Sequence, residues 1–334
     1  MPDSLAPGYP LKQGRFRIDA EIAHGGFGIT YRATRTGDGS PVVIKELFPT
    51  DLVVRDPGGA AVVDIGPDGQ FAKCVDRFIR EAEFLKRLDH PNIVPIADTF
   101  TDNGTAYFSM PDLGGTDLQP LIAPGAPTLA DADLMDLLAP IVDALRYLHR
   151  RSLFHFDLKP ANLLRKPDGQ VVLIDFGAAK RLRPGASVAN TAFPHTPGYS
   201  GPEFDDPDQF GTPDVRADVY GLAATIMALV TGAPPPSRHP RDADVARLRE
   251  PWRTLVREGT RRDPKDRPRT IEDWWRLRFA GAAANTAGRD IFDLRDDIVD
   301  TYQRYVRGFS YIRNHEIALE VEKHLDGDGI WPAP

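Results

Sequence analysis

The sequence is poor in cysteine and in long apolar runs and has no excess of positive charge, and each lack removes a class of function. A single cysteine, Cys74, among 334 residues cannot close an internal disulfide. The fold is therefore held by packing, and the thiol reads as a buried structural side chain in a protein of a reducing cytoplasm. No apolar run approaches the roughly 18 residues that cross a bilayer. The opening MPDSLAPGYP has neither a basic start nor an apolar core, so neither a membrane anchor nor a secretion signal is expected. A formal net charge of -7 leaves no broad basic surface, which argues against direct nucleic-acid binding by this segment. No cluster of cysteine and histidine has metal-ligand spacing. What is present is the composition of a globular protein, 41% apolar and 27% charged, long enough for about two domains.

Residues 1–10 are rich in proline and glycine and are expected to be disordered. Phe16-Arg17-Ile18, Gly28-Ile29-Thr30-Tyr31 and Val42-Val43-Ile44-Lys45 then read as short strands. From Phe78 to Leu88 the apolar residues fall at helical spacing, and strands resume at Ile93–Ile96 and Ala106–Met110. Past Gly114-Gly115 the pattern turns helical. Leu134 to His149 is apolar along one face, whereas Val219 to Val230 is apolar nearly all round and is expected inside a lobe. The chain thus divides into a strand-rich small lobe over 11–112, a helical large lobe over 113–278 and a tail over 279–334.

Chemistry is concentrated in four places. Ala23-His24-Gly25-Gly26-Phe27-Gly28 lies between two expected strands, where small residues let backbone N–H groups approach phosphate oxygens. Alone, the segment reads equally as a plain glycine hairpin. Lys45 follows in a β-branched strand and Glu81 on the first long helix, a pairing that holds an ammonium in place to grip two phosphates. His155-Phe156-Asp157-Leu158-Lys159-Pro160-Ala161-Asn162 and Ile174-Asp175-Phe176-Gly177 complete the set. Phosphoryl transfer needs a base to orient the attacking hydroxyl, a cation for the moving phosphoryl group and oxygen ligands for magnesium, and Asp157, Lys159, Asn162 and Asp175 supply them.

These motifs resemble those of the eukaryotic-type (Hanks-type) protein kinases. The run Gly25-Gly26-Phe27-Gly28-Ile29-Thr30-Tyr31 with Ile44-Lys45-Glu46 is similar to the bacterial Ser/Thr members, and the resemblance covers residues 12–278. It implies an α+β bilobal kinase fold with ATP and Mg²⁺ as cofactors, Mn²⁺ as an alternative ion, and a protein substrate offering a serine or threonine hydroxyl. Ala23, Gly25 and Gly28 take the three glycine positions of the phosphate loop, with Gly26 beside them, so alanine replaces the first glycine. Lys45 and Glu81 match the lysine–glutamate pair, and Met110 matches the gatekeeper. Leu113 is the expected backbone donor to adenine, and Thr30, Val43 and Leu164 flank the ring. Asp157 is implied as the base, Lys159 as the stabiliser of phosphoryl charge, and Asn162 and Asp175 as metal ligands. Leu85, Ile96, His155 and Phe176 match the column of side chains that links the lobes. Glu203 is implied to pair with Arg267, and Asp218 to brace the catalytic loop. Lys159 together with Thr196 resembles the Ser/Thr class rather than the tyrosine kinases.

The main departure is Phe156, which stands where most family members carry an arginine neutralised by an activation-loop phosphate. The chain is therefore of the non-RD type, and the usual electrostatic switch has no handle. The link from Glu46 to Arg77 is longer than the family's connection and holds two turn signals around Ala61-Val62-Val63. An extra hairpin or lid beside the ATP site fits, either as a passive insertion or as a regulatory element.

In the tail, Leu294, Ile298, Tyr302, Tyr305, Phe309 and Ile312 recur at the spacing of an amphipathic helix, and Ile317, Val321 and Leu325 suggest a shorter one stopped by Gly327. The apolar ending Gly329 to Pro334 reads as though the chain were cut before the rest of a domain. The tail resembles the opening segment of some bacterial DEAD/DEAH-box helicase proteins, which implies a kinase–helicase polypeptide of a phage-defence kind with a helicase partner in cis or in trans. A tail packed on its own large lobe is the other reading. Two further alternatives stand beside the kinase reading: a pseudokinase serving as an ATP-binding regulatory module of a larger nucleic-acid-processing protein, and a small-molecule kinase. The latter families lack the Pro197-Gly198-Tyr199…Pro202-Glu203 segment and its Arg267 partner.

Overall fold

The computed structural model describes residues 3–57, 60–67, 69–181 and 196–276. The chain divides into two compact units after Arg276, and the tail lies outside the described residues.

The small lobe is built in chain order from β1 (Pro10–Leu11), β2 (Phe16–Gly25), β3 (Gly28–Arg35), β4 (Pro41–Leu47), β5 (Val53–Arg55), β6 (Val62–Asp64), helix α1 (Gln70–Leu85), β7 (Asp98–Asp102) and β8 (Thr105–Pro111). Six of these strands form an antiparallel sheet in the order β1-β2-β3-β4-β8-β7, and β5 and β6 pair apart as a hairpin. Alternation along the strands decides which face is core. Ile29, Tyr31 and Ala33 on β3 and Val42 and Ile44 on β4 are fully buried, while Thr30, Val43 and Lys45 point to the other, more open face.

Three expectations need correction. Residues 3–9 are not free: Leu5 is buried, its N–H donates to the Tyr31 hydroxyl at 3.2 Å, and the Gly8 N–H donates to the Ile18 carbonyl at 2.7 Å. Helix α1 starts at Gln70, eight residues before the expected Phe78, because Phe71, Cys74 and Val75 continue the helical spacing upstream and pack on the sheet core. Cys74 is half-buried there. Ile93–Ile96 is not a sheet strand: it makes one parallel bridge, Ile93 to Leu173, and the edge of the sheet is β7.

The large lobe adds β9 (Thr116–Asp117), α2 (Asp131–His149), β10 (Leu153–Phe154), β11 (Leu163–Arg165), β12 (Val171–Leu173), β13 (Lys180–Arg181), α3 (Pro207–Phe210), α4 (Val215–Thr231), α5 (Asp242–Val245) and α6 (Trp252–Gly259). Every residue of α4 from Ala217 to Val230 is buried, as the uniform apolar pattern required. Its N-terminus is capped by the Asp214 carboxylate, which accepts the Arg216 N–H at 2.8 Å. The helix is thus a fixed post around which α2, α6 and the loop after β10 are arranged.

Candidate active site

The loop between β10 and β11 carries the reactive residues, and α4 holds it. Asp218, buried on α4, accepts the backbone N–H groups of His155 at 2.9 Å and Phe156 at 2.7 Å, and His149 Nε2 lies 2.7 Å from it. Burial acts to raise the Asp218 carboxyl, but the His149 contact and the N–H donor outweigh it and hold the group below the ordinary range. Pinned in this way, Phe156 takes a left-handed backbone with φ 64°, and Asp175 across the cleft has φ 56°. Bulky residues hold that conformation only where their surroundings impose it.

Asp157 is the hub of the loop. Its Oδ2 accepts from Lys159 Nζ at 2.8 Å and from Asn162 Nδ2 at 3.0 Å, and its Oδ1 accepts from the Thr196 hydroxyl at 2.6 Å. Lys159 also donates to Thr196 Oγ1 at 2.9 Å. Asn162 Nδ2 further binds the Asp157 carbonyl at 2.7 Å, which leaves its amide oxygen as the atom able to ligate a cation. One carboxylate thus gathers an ammonium, a hydroxyl and a carboxamide in a single cluster.

The strand register assembles the opposite wall. Ala23 pairs with Thr30, Thr30 with Lys45, and Val43 with Met110, so the expected nucleotide residues share one sheet face. Leu164, on β11, is half-exposed and faces Val172 and Asp117 in its own ladder. The Leu113 N–H makes no backbone hydrogen bond among the described residues. The glycines differ in kind. A Cβ at Gly28 would come within 2.4 Å of the Glu46 carbonyl, so the β3–β4 contact itself demands glycine there. A Cβ at Gly26 would meet nothing within 4 Å, and one at Gly25 only the Gly28 carbonyl at 3.9 Å. Packing within the chain does not explain those two, whereas close approach of a phosphate does.

The expected partner of Lys45 is corrected. Lys45 Nζ contacts Asp175 rather than Glu81. Glu81 is held by Arg77 one turn earlier on α1, at 2.9 Å, and by Lys180 of β13 at 3.5 Å. The cause is local: Arg77 and Glu81 stand four residues apart on one helix face, and Lys180 reaches them from the large lobe. Asp175, with desolvation acting against its charge, is nevertheless held at about 2 by Lys45 and the Gly177 N–H. The oxygen donors Asp175 and Asn162 suit a hard divalent cation, and the cluster around them suits ATP phosphates.

Two further expected contacts are formed, His155 with Phe176 and Glu203 with Arg267. His155 and Phe176 rings meet edge to face at 5.1 Å, and Leu85 and Ile96 are buried. Arg267 grips Glu203 with both terminal nitrogens, at 2.6 and 2.8 Å, both side chains being fully buried. Phe156 sits in an apolar nest with Ala178 and Ala217, stacked on Phe154 at 5.8 Å and edge-on to Phe204 at 5.8 Å.

One constellation escaped the sequence reading. Glu46, beside Lys45, is fully buried and accepts from Tyr31 at 2.6 Å, Tyr107 at 2.6 Å and Arg55 at 2.9 and 2.7 Å. Burial and the adjacent carboxylate push both phenols well above the ordinary tyrosine range. The only sequence signal was alternation: Glu46 occupies an inward position of β4 in step with Val42 and Ile44, which obliges it to have buried partners.

A bilobal fold with an aspartate, lysine and asparagine gathered on one loop opposite a glycine hairpin is that of a protein kinase domain. Residues 16–276 match the protein kinase domain family, and the chain belongs to it. It is 34% identical over 236 residues to serine/threonine-protein kinase PknF of Mycobacterium tuberculosis, covering 68% of this chain and 45% of PknF. It is also 34% identical over 274 residues to serine/threonine-protein kinase PkaA of Streptomyces coelicolor, covering 76% of this chain and 48% of PkaA. Among solved structures, "PpkA-294 apo form" matches with a TM-score of 0.66 at 28% identity, over 83% of this chain and 99% of that one. The chain spans about half the length of the curated relatives it matches.

Proposed function

We propose that this chain is the catalytic domain of an ATP- and Mg²⁺-dependent serine/threonine protein kinase of the non-RD type, with Mn²⁺ able to replace Mg²⁺. The observation that carries the reading is the Asp157 cluster, in which the carboxylate binds Lys159 at 2.8 Å, Thr196 at 2.6 Å and Asn162 at 3.0 Å. Thr196 marks where an acceptor hydroxyl sits, since a hydroxyl there donates its proton to Asp157 and faces the Lys159 ammonium. Asp157 acts as the base that orients and deprotonates the acceptor, and Lys159 offsets charge on the transferred group. Lys45 and the backbone of Gly25 and Gly26 would hold the nucleotide phosphates, and Asp175 with the Asn162 amide oxygen would hold the metal. When bound, the metal nucleotide supplies the phosphoryl group and neutralises its oxygens. Leu113 offers the adenine-facing N–H, and Thr30, Val43, Met110 and Leu164 enclose the base.

Incubation with radiolabelled ATP and a mixed protein acceptor tests this. Labelled phosphoserine and phosphothreonine, lost with EDTA and restored by Mg²⁺, are expected; label confined to phosphotyrosine, or none, contradicts it. A second reading, an ATP-binding regulatory module, is favoured by the diversion of Glu81 from Lys45, and the same assay separates the two. For the wider polypeptide, the pattern of residues 293–332 supports a kinase–helicase protein of a defence system, its helicase in cis or in trans. The encoding locus decides that point: no helicase sequence in frame or in an adjacent gene would refute it.

A further inference from the structure

The glycine turn between β2 and β3 has little of its own to hold it. A Cβ at Gly26 would meet nothing within 4 Å, and the Phe27 side chain beside it is exposed. The hydrogen bonds that fix the turn come from the chain just past β4. The Phe48 N–H donates to the Phe27 carbonyl at 3.1 Å, and the Thr50 N–H donates to the Gly26 carbonyl at 3.2 Å. By contrast, the Gly26 and Phe27 N–H groups donate to no backbone carbonyl among the described residues. A trans peptide sets its C=O and the following N–H on opposite sides, so tying the Gly26 carbonyl to Thr50 turns the Phe27 N–H the other way. A carbonyl that would repel an anion is thereby held back, and an N–H that attracts one is left free. Residues 48–50 are themselves anchored. The Pro49 carbonyl accepts the N–H groups of Leu52 at 2.9 Å and Val53 at 3.0 Å, which closes a turn into β5. Phe48 is buried, with the Arg55 guanidinium over its ring at 4.8 Å and the His24 ring edge-on at 6.3 Å. Arg55 in turn donates to the Asp3 carbonyl at 2.6 Å, to the Ala60 carbonyl at 2.8 Å and to both Glu46 oxygens.

We propose that residues 48–50 orient the glycine turn for nucleotide phosphates, and that Arg55 is the positioning residue that keeps them in place. The insertion after β4 is then part of the nucleotide site rather than a passive addition. An unheld glycine turn must be ordered when a phosphate binds, and that ordering opposes binding. Here the turn is ordered beforehand, with a peptide already aimed as an anion requires. Through the Asp3 carbonyl the same chain of contacts runs on to the N-terminal residues, so the buried seat of Leu5 also bears on the turn. The benefit is confined to ligands that carry phosphate, because adenosine has nothing to offer the turn. The inference deepens the reading of Gly25 and Gly26 as holders of ATP phosphates and rests on it; the ordering of the turn does not.

Dissociation constants for ADP and for adenosine are measured by calorimetry in wild type, Thr50→Pro, Phe48→Leu and Arg55→Lys, together with backbone order parameters of Gly26 and Phe27 without nucleotide. Proline at 50 removes the N–H donor, leucine at 48 keeps apolar bulk without the ring, and lysine at 55 keeps the charge without the fork. Thr50→Pro should weaken ADP about tenfold, the scale of one or two hydrogen bonds to a charged group, and leave adenosine unmoved. Phe48→Leu and Arg55→Lys should weaken ADP by about threefold or more with the same selectivity. The order parameters should match those of β3 in wild type and fall in all three variants. Should Thr50→Pro fail to fold, Phe48→Leu carries the test. Unchanged ADP affinity in the folded variants, or equal weakening of ADP and adenosine, overturns the orienting role. Unchanged ADP affinity in Arg55→Lys alone overturns the part given to Arg55. Wild type that binds neither ligand contradicts the nucleotide reading instead, and the order parameters then judge the turn: mobility in wild type equal to that in the variants overturns its ordering.

Discussion

At the scale of single residues, the most informative groups are charges placed where charge is expensive. Arg267 and Glu203 are both fully buried and joined by two hydrogen bonds of 2.6 and 2.8 Å. Removing one partner strands the other in a low-dielectric interior, so Arg267→Ala should lower unfolding free energy by about 3–5 kcal/mol. Urea denaturation checks this, and a loss below about 1 kcal/mol would show that water reaches Glu203. Asp218 gives a pH-dependent counterpart. Its carboxyl is held below the ordinary aspartate value of 3.8, so its contribution is present above that pH and is lost as pH falls through the lower folded value. Wild-type stability should therefore decline on acidification below about pH 4 more steeply than that of Asp218→Asn, itself less stable near neutrality. Parallel denaturation series for the two proteins settle it; parallel slopes would mean that Asp218 does not report the acid limb. The Glu203–Arg267 pair and the bracing role of Asp218 were legible through the resemblance to the kinase family, whose motifs carry those residues. The partner of Glu81 was not, since Arg77 four residues earlier offers the same attraction at shorter reach.

Among elements, the hairpin of β5 and β6 shows most clearly what pattern reading can and cannot reach. Two turn signals around Ala61-Val62-Val63 made an extra hairpin readable, and the strands Val53–Arg55 and Val62–Asp64 pair accordingly. What fastens it was not readable, because the clamp joins residues whose partnership depends on burial rather than spacing. Arg55 binds Glu46 through both terminal nitrogens and lies over the Phe48 ring at 4.8 Å. Burial opposes the charge on Arg55, yet Glu46 outweighs it and raises the group further. Arg55→Ala should cost about 3 kcal/mol or more, because Glu46 keeps only two phenols, and it should expose the 53–64 segment to amide exchange before the rest of the sheet. Exchange in the segment no faster than in β3 would show the hairpin to be held by its apolar contacts alone. The start of α1 is the opposite case: Phe71, Cys74 and Val75 extend the helical spacing from Phe78 and were available to the eye, though glycines at 66 and 69 masked them. The proline- and glycine-rich N-terminus misleads in the same way, since Leu5 finds a buried place that composition does not disclose.

At the scale of the whole molecule, the described residues up to Arg276 form two lobes that meet over one carboxylate, and their class was legible because phosphoryl transfer constrains residue types, order and spacing together. The arrangement of the nucleotide wall followed from strand alternation, which puts Thr30, Val43, Lys45 and Met110 on one face. Which of two carboxylates Lys45 contacts depends on the local Arg77–Glu81 pair and also on Lys180 of β13, whose approach to Glu81 from the large lobe no local pattern encodes. The proposed function turns on Asp157 as the catalytic base. Purified wild type and Asp157→Asn are compared for transfer of labelled phosphate to a protein acceptor, with melting temperature recorded for both. Transfer is expected to fall by about two orders of magnitude or more at an unchanged melting temperature, since catalysis here is orientation and electrostatics; transfer by the folded variant at the wild-type rate would contradict the assignment.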